Sequence, residues 1–258
     1  MRSNPREAAV LTDVDGALAP IVTDPAAAGV PEVVRRTLAG LASEYALVGC
    51  VSGRRVEQAL KIVRLPQLAY AGNHGFEIRT AGSETVEASP ALQGHEHDAA
   101  DFLGGLDRDV LAAAGIRFED KGPIQALHWR GADDEAAAGR LADTIAAEIV
   151  ARGLIAHHGR MVLEIRPPVE LDKGTAVTGL LAGAPAVRHA FYGGDDNTDL
   201  DAFAALRRLR DGGRLETAVC VGISSPEGPP AILAEADVVV NGPKGYAELL
   251  ASLALPAE

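Results

Sequence analysis

Short apolar runs alternate with amphipathic stretches at the start of the chain. Residues 8–11, 46–51 and 68–71 are continuous apolar runs, each followed closely by Asp, Ser or Gly. Such runs are typical of strands that are buried on both faces. Between them, residues 31–43 and 54–63 carry apolar side chains at helical spacing, and Pro31 suits a helix N-terminus. The pattern predicts a β-α-β-α-β unit on a parallel sheet.

The same alternation returns near the end of the chain. Residues 190–192, 218–221 and 237–240 are predicted strands, and residues 200–210 and 246–253 are predicted helices. The two stretches together predict an α/β fold with a Rossmann-like core.

The middle of the chain follows a different order. From about Glu96 to Pro167 we predict helix, two strands, helix and two strands, at residues 99–113, 116–118, 125–129, 134–151, 154–157 and 162–165. An αββαββ order favours a small antiparallel sheet covered by two helices. We therefore predict a core formed by residues 1–95 and 169–258, with an α/β domain inserted at residues 96–168.

Composition supports an ordinary globular protein and limits its partners. The 258 residues are 47% hydrophobic and 23% charged, which is enough for a sizeable buried core. The formal net charge of −12 argues against nucleic acid or an anionic membrane as partner, because both require clustered Lys and Arg. Cys50 and Cys220 lie in apolar runs, so we expect buried thiols rather than a disulfide or a catalytic cysteine.

No segment of the sequence has the length and apolarity of a membrane span or a signal peptide. The expectation from the sequence is a soluble cytoplasmic protein.

Polar residues follow the predicted core strands. Asp13 and Asp15 come after the first strand, Ser52 after the second, and Asp195 after the strand at residues 190–192. Lys173 opens the helix that leads back into the core. A DxDG string alone is a moderate signal, because turns favour Asp and Gly. In parallel sheets, however, ligands bind at the carboxyl ends of the strands, so these residues predict a common site.

Three carboxylates at one site favour a hard divalent cation. Mg²⁺ prefers oxygen ligands, so we predict a magnesium site at Asp13, Asp195 and the backbone carbonyl of Asp15. Ser52 and Gly53, at the N-terminus of the following helix, and the Lys173 ammonium could then hold a phosphoryl group.

This set of residues predicts phosphate-monoester hydrolysis. An aspartate nucleophile divides the reaction into two displacements, and Asp13 is the candidate for that role. Asp15 could protonate the leaving oxygen and then deprotonate the attacking water. A protonated Asp15 is compatible with a crowded anionic site, which raises carboxyl pKa values.

These residues form four motifs that resemble those of the haloacid dehalogenase superfamily: Asp13 with Asp15, Ser52, Lys173, and Asp195 with Asp199. Over nearly its whole length, the chain more closely resembles the trehalose-6-phosphate phosphatases. The matching strings, in order, are DVDGALAPI, VSGR, GNHGFEI, ALHWR, LEIRP, LDKG and GGDDNTDLDAF. The resemblance implies a Rossmann-like core with a mobile α/β cap, which agrees with the inserted domain predicted above.

The resemblance also implies roles in sugar binding. In this family the cap grips sugar hydroxyls through residues that match Glu119, Lys121 and Glu164 here. Without the resemblance, these three would be ordinary solvated charges. Arg54, Asn73 and His74 are further candidates on the core side, whereas we expect His128 to be structural.

The remaining acidic residues of the last motif are expected to support the site. We predict a supporting role for Asp196, and we expect Asp199 to buttress Lys173 or the metal-bound waters. Ala17 is a departure, because the family usually has Thr after Asp-Gly. We still expect activity, because that hydroxyl has no part in the chemistry described above.

The resemblance implies that the substrate is trehalose 6-phosphate, with a possible functional link to a trehalose-phosphate synthase. The nearest alternative is a phosphatase of another sugar phosphate, such as sucrose phosphate or mannosyl-phosphoglycerate. A second alternative is a non-catalytic, sugar-phosphate-binding regulatory subunit. Retention of both Asp13 and Asp15 argues against this alternative, because a binding module needs neither a nucleophile nor an acid/base.

Overall fold

The computed structural model describes residues 3–21, 29–225 and 228–254. The chain divides into two compact units, of which one combines Met1–Ala88 with Leu171–Glu258 and the other is Ser89–Glu170. The predicted fold class, an α/β core with an inserted α/β domain, is confirmed.

The elements are numbered in chain order. The first unit begins with β1 (Ala8–Thr12), α1 (Glu32–Glu44), β2 (Leu47–Val51), α2 (Val56–Val63), β3 (Ala69–Gly72), β4 (Glu77–Arg79) and β5 (Glu87–Ala88). The second unit contains α3 (Asp98–Gly104), α4 (Arg108–Ala113), β6 (Arg117–Asp120), β7 (Gln125–His128), α5 (Glu135–Ala151), β8 (Ile155–Gly159) and β9 (Val162–Arg166). The first unit ends with α6 (Lys173–Ala182), β10 (His189–Gly194), α7 (Asp199–Asp211), β11 (Thr217–Ser224), α8 (Pro230–Glu235), β12 (Val238–Asn241) and α9 (Gly242–Ala254).

The sheet of the first unit has the order β12-β11-β10-β1-β2-β3-β4-β5, and the strands from β12 to β3 are parallel. Successive residues of β1 point to opposite faces: Val10 packs in the cluster with α1, α2 and α9, and Leu11 packs in the cluster with α6, α7 and α8. Both faces of the sheet are therefore apolar, as the continuous runs predicted. The chain leaves β1 for β2 on one side, and β10 pairs with β1 on the other, so the topology switches between β1 and β10.

The antiparallel strands β4 and β5 were not predicted. They contain only three and two residues, too few for a recognisable pattern. Helix α2 begins at Val56 rather than at Arg54, and this difference leaves Ser52–Arg55 as a loop before the helix.

The sheet of the second unit is antiparallel, with the order β6-β7-β9-β8. Leu127, Leu163 and Ile165 pack with residues of α3 and α5 on one face. Alternate residues, including Glu119 and Glu164, lie on the opposite face.

The prediction of one helix over residues 99–113 is wrong. The structure has α3 and α4 instead, separated at Gly105, Leu106 and Asp107. Glycine destabilises a helix interior, and the Asp107 carboxylate accepts hydrogen bonds from Asp109 N–H (2.9 Å) and Val110 N–H (3.2 Å). The helical spacing of apolar residues continues through residues 105–107, so it does not reveal the break between α3 and α4 that the Asp107 cap imposes.

Both cysteines are buried free thiols, as predicted. Burial raises the pKa of the Cys220 thiol to about 12 and raises that of Cys50 further. Within the described ranges, none of the helices has both the length and the apolarity that a membrane span requires.

Candidate active site

Asp13 follows β1 directly, and its backbone N–H donates to Gly193 O of β10 at 2.9 Å. The residue is 3% exposed. Gly16, three residues later, has φ +79, and a Cβ there would overlap the Asp195 carboxylate. The glycine of the DxDG string is therefore required twice, for its backbone angle and for the approach of Asp195.

Lys173 is the first residue of α6, which begins with a capping box formed by Asp172 and Thr175. Its buried ammonium lies 2.8 Å from Asp199 Oδ1, 3.2 Å from Asp13 Oδ1 and 3.6 Å from Asp196 Oδ1. Burial alone would lower the pKa of Lys173, but the three carboxylates outweigh burial and raise that pKa well above its usual range. Lys173 is therefore a permanent cation beside Asp13.

Asp199 accepts four hydrogen bonds in the interior of the unit. Its Oδ1 accepts from Lys173 Nζ (2.8 Å) and the Tyr192 hydroxyl (2.6 Å), and its Oδ2 accepts from the N–H groups of Asp195 (2.9 Å) and Asp196 (3.0 Å). These bonds use both oxygens, so Asp199 is suited to fix Lys173 and the loop after β10.

Asp195 is bonded differently. It is buried, and within the part of the chain that the structure describes, no group donates a hydrogen bond to its Oδ1. Burial, reinforced by Asp199 and Asp196, raises the pKa of Asp195 from 3.8 to about 7. Burial likewise raises the pKa of Asp13, and the other carboxylates add to this increase against the effect of Lys173.

These residues fit a divalent cation. Carboxylate oxygens of Asp13, Asp195 and Asp199 lie within 4.8 Å of one another. Because Asp199 is already saturated with donors, Asp13 and Asp195 are the carboxylates suited to bind the ion. Asp196 is half-exposed, and Lys173 and Thr198 outweigh the effect of burial and hold the pKa of Asp196 at about 2.

The loop after β2 carries Ser52, Gly53 and Arg54. Arg54 N–H donates to the buried Ser52 Oγ at 3.1 Å. A Cβ on Gly53 would lie 2.7 Å from the His74 ring, so this ring packs directly against the loop. Asn73 N–H and His74 N–H donate to Arg54 O (2.8 Å) and Ser52 O (3.1 Å), which brings these five predicted site residues together.

Asp15 and Arg54 form a bidentate ion pair. Arg54 Nε lies 2.7 Å from Asp15 Oδ2, and Arg54 Nη2 lies 2.7 Å from Asp15 Oδ1. These two residues have separate predicted roles, Asp15 in acid/base chemistry and Arg54 in substrate binding. In this arrangement both oxygens of Asp15 accept from Arg54.

Ala17 is 1% exposed and packs in the apolar cluster between the sheet and α1, α2 and α9. The residue that departs from the family pattern is thus part of the hydrophobic core.

In the second unit, the predicted sugar-binding residues Glu119 and Glu164 lie on the face of the sheet opposite the helices, and Lys121 contacts Glu164. Lys121 Nζ lies 2.9 Å from Glu164 Oε1, and Arg166 Nη2 lies 2.6 Å from Glu164 Oε2. His128 Nε2 lies 3.1 Å from Glu119 Oε2, so His128 contacts a predicted site residue.

Glu77, Tyr192 and Arg166 contact predicted site residues but were not identified from the sequence. Tyr192 lies in an apolar strand and has the pattern of a core aromatic. Glu77 and Arg166 lie in the strings GNHGFEI and LEIRP that carry the family resemblance. Their place in these strings is the sequence signal that could have identified them as site residues.

An acidic cluster at the switch point of a parallel sheet, with a buried lysine facing it, is the arrangement expected from the resemblance to the haloacid dehalogenase class of hydrolases. The family model for trehalose-phosphatase matches residues 11–228. The chain belongs to the trehalose-phosphatase family, which confirms the resemblance.

Individual relatives agree with this assignment. "Probable trehalose-phosphate phosphatase 3" of Oryza sativa subsp. japonica is 34% identical over 93% of this chain and 72% of its own length. The structure of the C-terminal domain of C. albicans trehalose-6-phosphate phosphatase superposes with a TM-score of 0.75, at 23% identity, over 98% of this chain and 93% of that chain. The C-terminal domain of a Candida albicans trehalose synthase regulatory protein also superposes, with a TM-score of 0.64 at 14% identity over 96% of this chain and 94% of that chain. The fold alone therefore does not decide between catalysis and regulation.

Proposed function

We propose that the protein hydrolyses trehalose 6-phosphate to trehalose and phosphate through an aspartyl-phosphate formed on Asp13. The observation that carries the proposal is the burial of the Asp13 carboxylate 3.2 Å from Lys173 Nζ, beside Asp195. A buried cation that touches the nucleophile stabilises negative charge that develops on a transferring phosphoryl group. A regulatory module would have no use for this pairing.

In the first displacement, an Asp13 oxygen attacks phosphorus, and the bond to the sugar oxygen breaks as that oxygen takes a proton from Asp15. In the second, Asp15 takes a proton from water, whose oxygen attacks phosphorus and releases phosphate from Asp13. Ser52, Gly53 and Lys173 hold the phosphoryl oxygens in both steps. In the structure both Asp15 oxygens accept from Arg54, so Asp15 must first release at least one of these bonds and take up a proton from solvent. We assign Arg54 to substrate binding.

Asp13, Asp195 and the backbone carbonyl of Asp15 would hold Mg²⁺. When bound, the ion neutralises phosphate charge that this acidic site would otherwise repel. Asp199 would support this arrangement by holding Lys173. Asp196 would support it as part of the loop after β10 that carries Asp195.

Glu119, Lys121 and Glu164 of the second unit are proposed to bind sugar hydroxyls. Asn73 and His74 of the first unit are proposed separately as substrate-binding residues. Carboxylates that accept from hydroxyls discriminate between sugars, because a missing hydroxyl leaves a polar group unpaired. We further propose a cytoplasmic enzyme functionally linked to a trehalose-phosphate synthase, since such an enzyme must supply the substrate.

The test is a phosphate-release screen over trehalose 6-phosphate, sucrose phosphate and mannosyl-phosphoglycerate, with Mg²⁺ or with a chelator, for the wild type and Asp13→Asn. We expect release from trehalose 6-phosphate that depends on Mg²⁺ and is lost in Asp13→Asn, with an unchanged circular dichroism spectrum. Faster release from another sugar phosphate would overturn the substrate, and undiminished activity of Asp13→Asn would overturn the nucleophile. Calorimetric binding without turnover by the wild type would favour a regulatory protein.

A further inference from the structure

Glu77 is a buried carboxylate outside the four motifs. It is the first residue of β4 and is 7% exposed. Its Oε2 accepts from Val56 N–H at 2.9 Å, and its Oε1 accepts from Asn73 Nδ2 at 2.9 Å and lies 3.4 Å from Arg55 Nε. A buried carboxylate is costly unless it is hydrogen-bonded, and Glu77 meets this condition with groups from two other segments.

The first of these segments begins helix α2. Val56 is its first residue, and its N–H has no acceptor within the helix because it belongs to the first turn. Glu77 supplies the acceptor from a different strand. The carboxylate thus fixes the end of the loop that starts at Ser52.

The second segment is the turn at Asn73 and His74. Both residues have left-handed backbone angles, with φ of 49 and 56, which are uncommon outside glycine and cost stability. The N–H groups of this turn donate to Arg54 O and Ser52 O. By accepting a hydrogen bond from the Asn73 side chain, Glu77 stabilises this strained turn, which in turn is hydrogen-bonded to the loop that starts at Ser52.

Glu77 therefore holds the loop of Ser52, Gly53 and Arg54 from both sides, through the α2 N-terminus and through Asn73. We propose that Glu77 is a positioning residue that fixes Ser52 for contact with the phosphoryl group. This inference rests on the proposed role of Ser52 in phosphate binding.

The variant Glu77→Gln keeps the size of the side chain and one acceptor, but it presents an amide N–H₂ group to one of the two donors. Glu87→Gln is the matched control, because Glu87 is exposed and lies on the neighbouring strand of the same hairpin. We expect about a tenfold loss of kcat/KM for Glu77→Gln, equivalent to about 1.4 kcal/mol, and no loss for Glu87→Gln. Assays run well below the unfolding temperature of each variant.

A double-mutant cycle with Ser52→Ala separates positioning from general destabilisation. If Glu77 acts through Ser52, the tenfold effect of Glu77→Gln should shrink to about twofold or less in the Ser52→Ala background. A full tenfold loss in both backgrounds would overturn the inference. Glu87→Gln should have no effect in either background.

The same variants are titrated with inorganic phosphate in the presence of Mg²⁺, which needs no turnover. If the wild type hydrolyses none of the sugar phosphates, the proposed function fails, and the phosphate affinities still decide the role of Glu77. We expect Glu77→Gln to weaken phosphate binding only when Ser52 is present. Equal weakening without Ser52, no weakening at all, or no phosphate binding by the wild type would each overturn the inference.

Discussion

Asp195→Asn measures the electrostatic cost of the acidic cluster in the metal-free protein. Asp195 is buried between other carboxylates, and its pKa is raised from 3.8 to about 7, chiefly by burial. An asparagine has nearly the same size and does not ionise. The variant should therefore lose the catalytic site and gain stability when no cation is bound.

The sign and size of this stability change follow from the linkage between protonation and folding. Because the folded-state pKa lies above the unfolded-state value, ionising Asp195 costs stability, and the cost grows as the pH rises from about 4 to about 7. At about 1.4 kcal/mol per tenfold change in proton affinity, the full cost is on the order of 4 kcal/mol. Between pH 5 and pH 8 the advantage of Asp195→Asn should grow by about 2.5 kcal/mol, or roughly 5–10 °C in unfolding temperature.

The assay is thermal unfolding in a chelating buffer at pH 5 and pH 8, followed by circular dichroism. Asp211→Asn is the control, because it removes an exposed carboxylate from the end of α7 and should give no such pH-dependent difference. Added Mg²⁺ should raise the unfolding temperature of the wild type and leave that of Asp195→Asn unchanged. An Asp195→Asn variant that is no more stable than the wild type in chelator at pH 8 would refute the predicted electrostatic cost of Asp195.

Two further substitutions test specificity and backbone geometry. Glu119→Gln should raise KM for trehalose 6-phosphate several-fold and leave kcat/KM for p-nitrophenyl phosphate unchanged. The control Glu148→Gln, at an exposed position on α5, should change neither value. Equal effects of Glu119→Gln on both substrates would remove Glu119 from sugar recognition. Gly16→Ala should reduce kcat at least tenfold, because the new Cβ overlaps the Asp195 carboxylate. The control is Gly82→Ala, because Gly82 has φ +73 but open space around it, and this variant should lower stability by about 1 kcal/mol without changing kcat. A wild-type kcat in Gly16→Ala would contradict the close approach of Asp195 to Gly16.

The core strands could be predicted because both faces of the sheet are covered by helices. Strand β1 packs apolar side chains against helices on either side, so its sequence is continuously apolar and its end is marked by Asp13. Parallel topology then brings Asp13, Ser52 and Asp195 to one edge, and this grouping follows from strand order rather than from any local signal.

Contacts that depend on register and side-chain reach could not be predicted. Glu77 bonds to Val56, 21 residues away, across a hairpin too short to leave a pattern. The Tyr192 hydroxyl reaches Asp199 from inside an apolar strand, where the sequence indicates only a packed ring. The pairing of Arg54 with Asp15 joins residues whose separate roles could be inferred but whose mutual contact could not.

The charge balance of the site links cation binding to substrate binding. If ionised, Asp13, Asp195, Asp196 and Asp199 carry four negative charges against the single positive charge of Lys173, which leaves −3 before any phosphate enters. A phosphate dianion would add to this repulsion, whereas Mg²⁺ at Asp13 and Asp195 would reduce it. The proposed ion and the proposed substrate should therefore each raise the affinity of the other, a coupling that is reciprocal by thermodynamic necessity. The cost that Asp195 imposes on the metal-free protein then has a functional counterpart, because the same repulsion increases the affinity of the site for the cation.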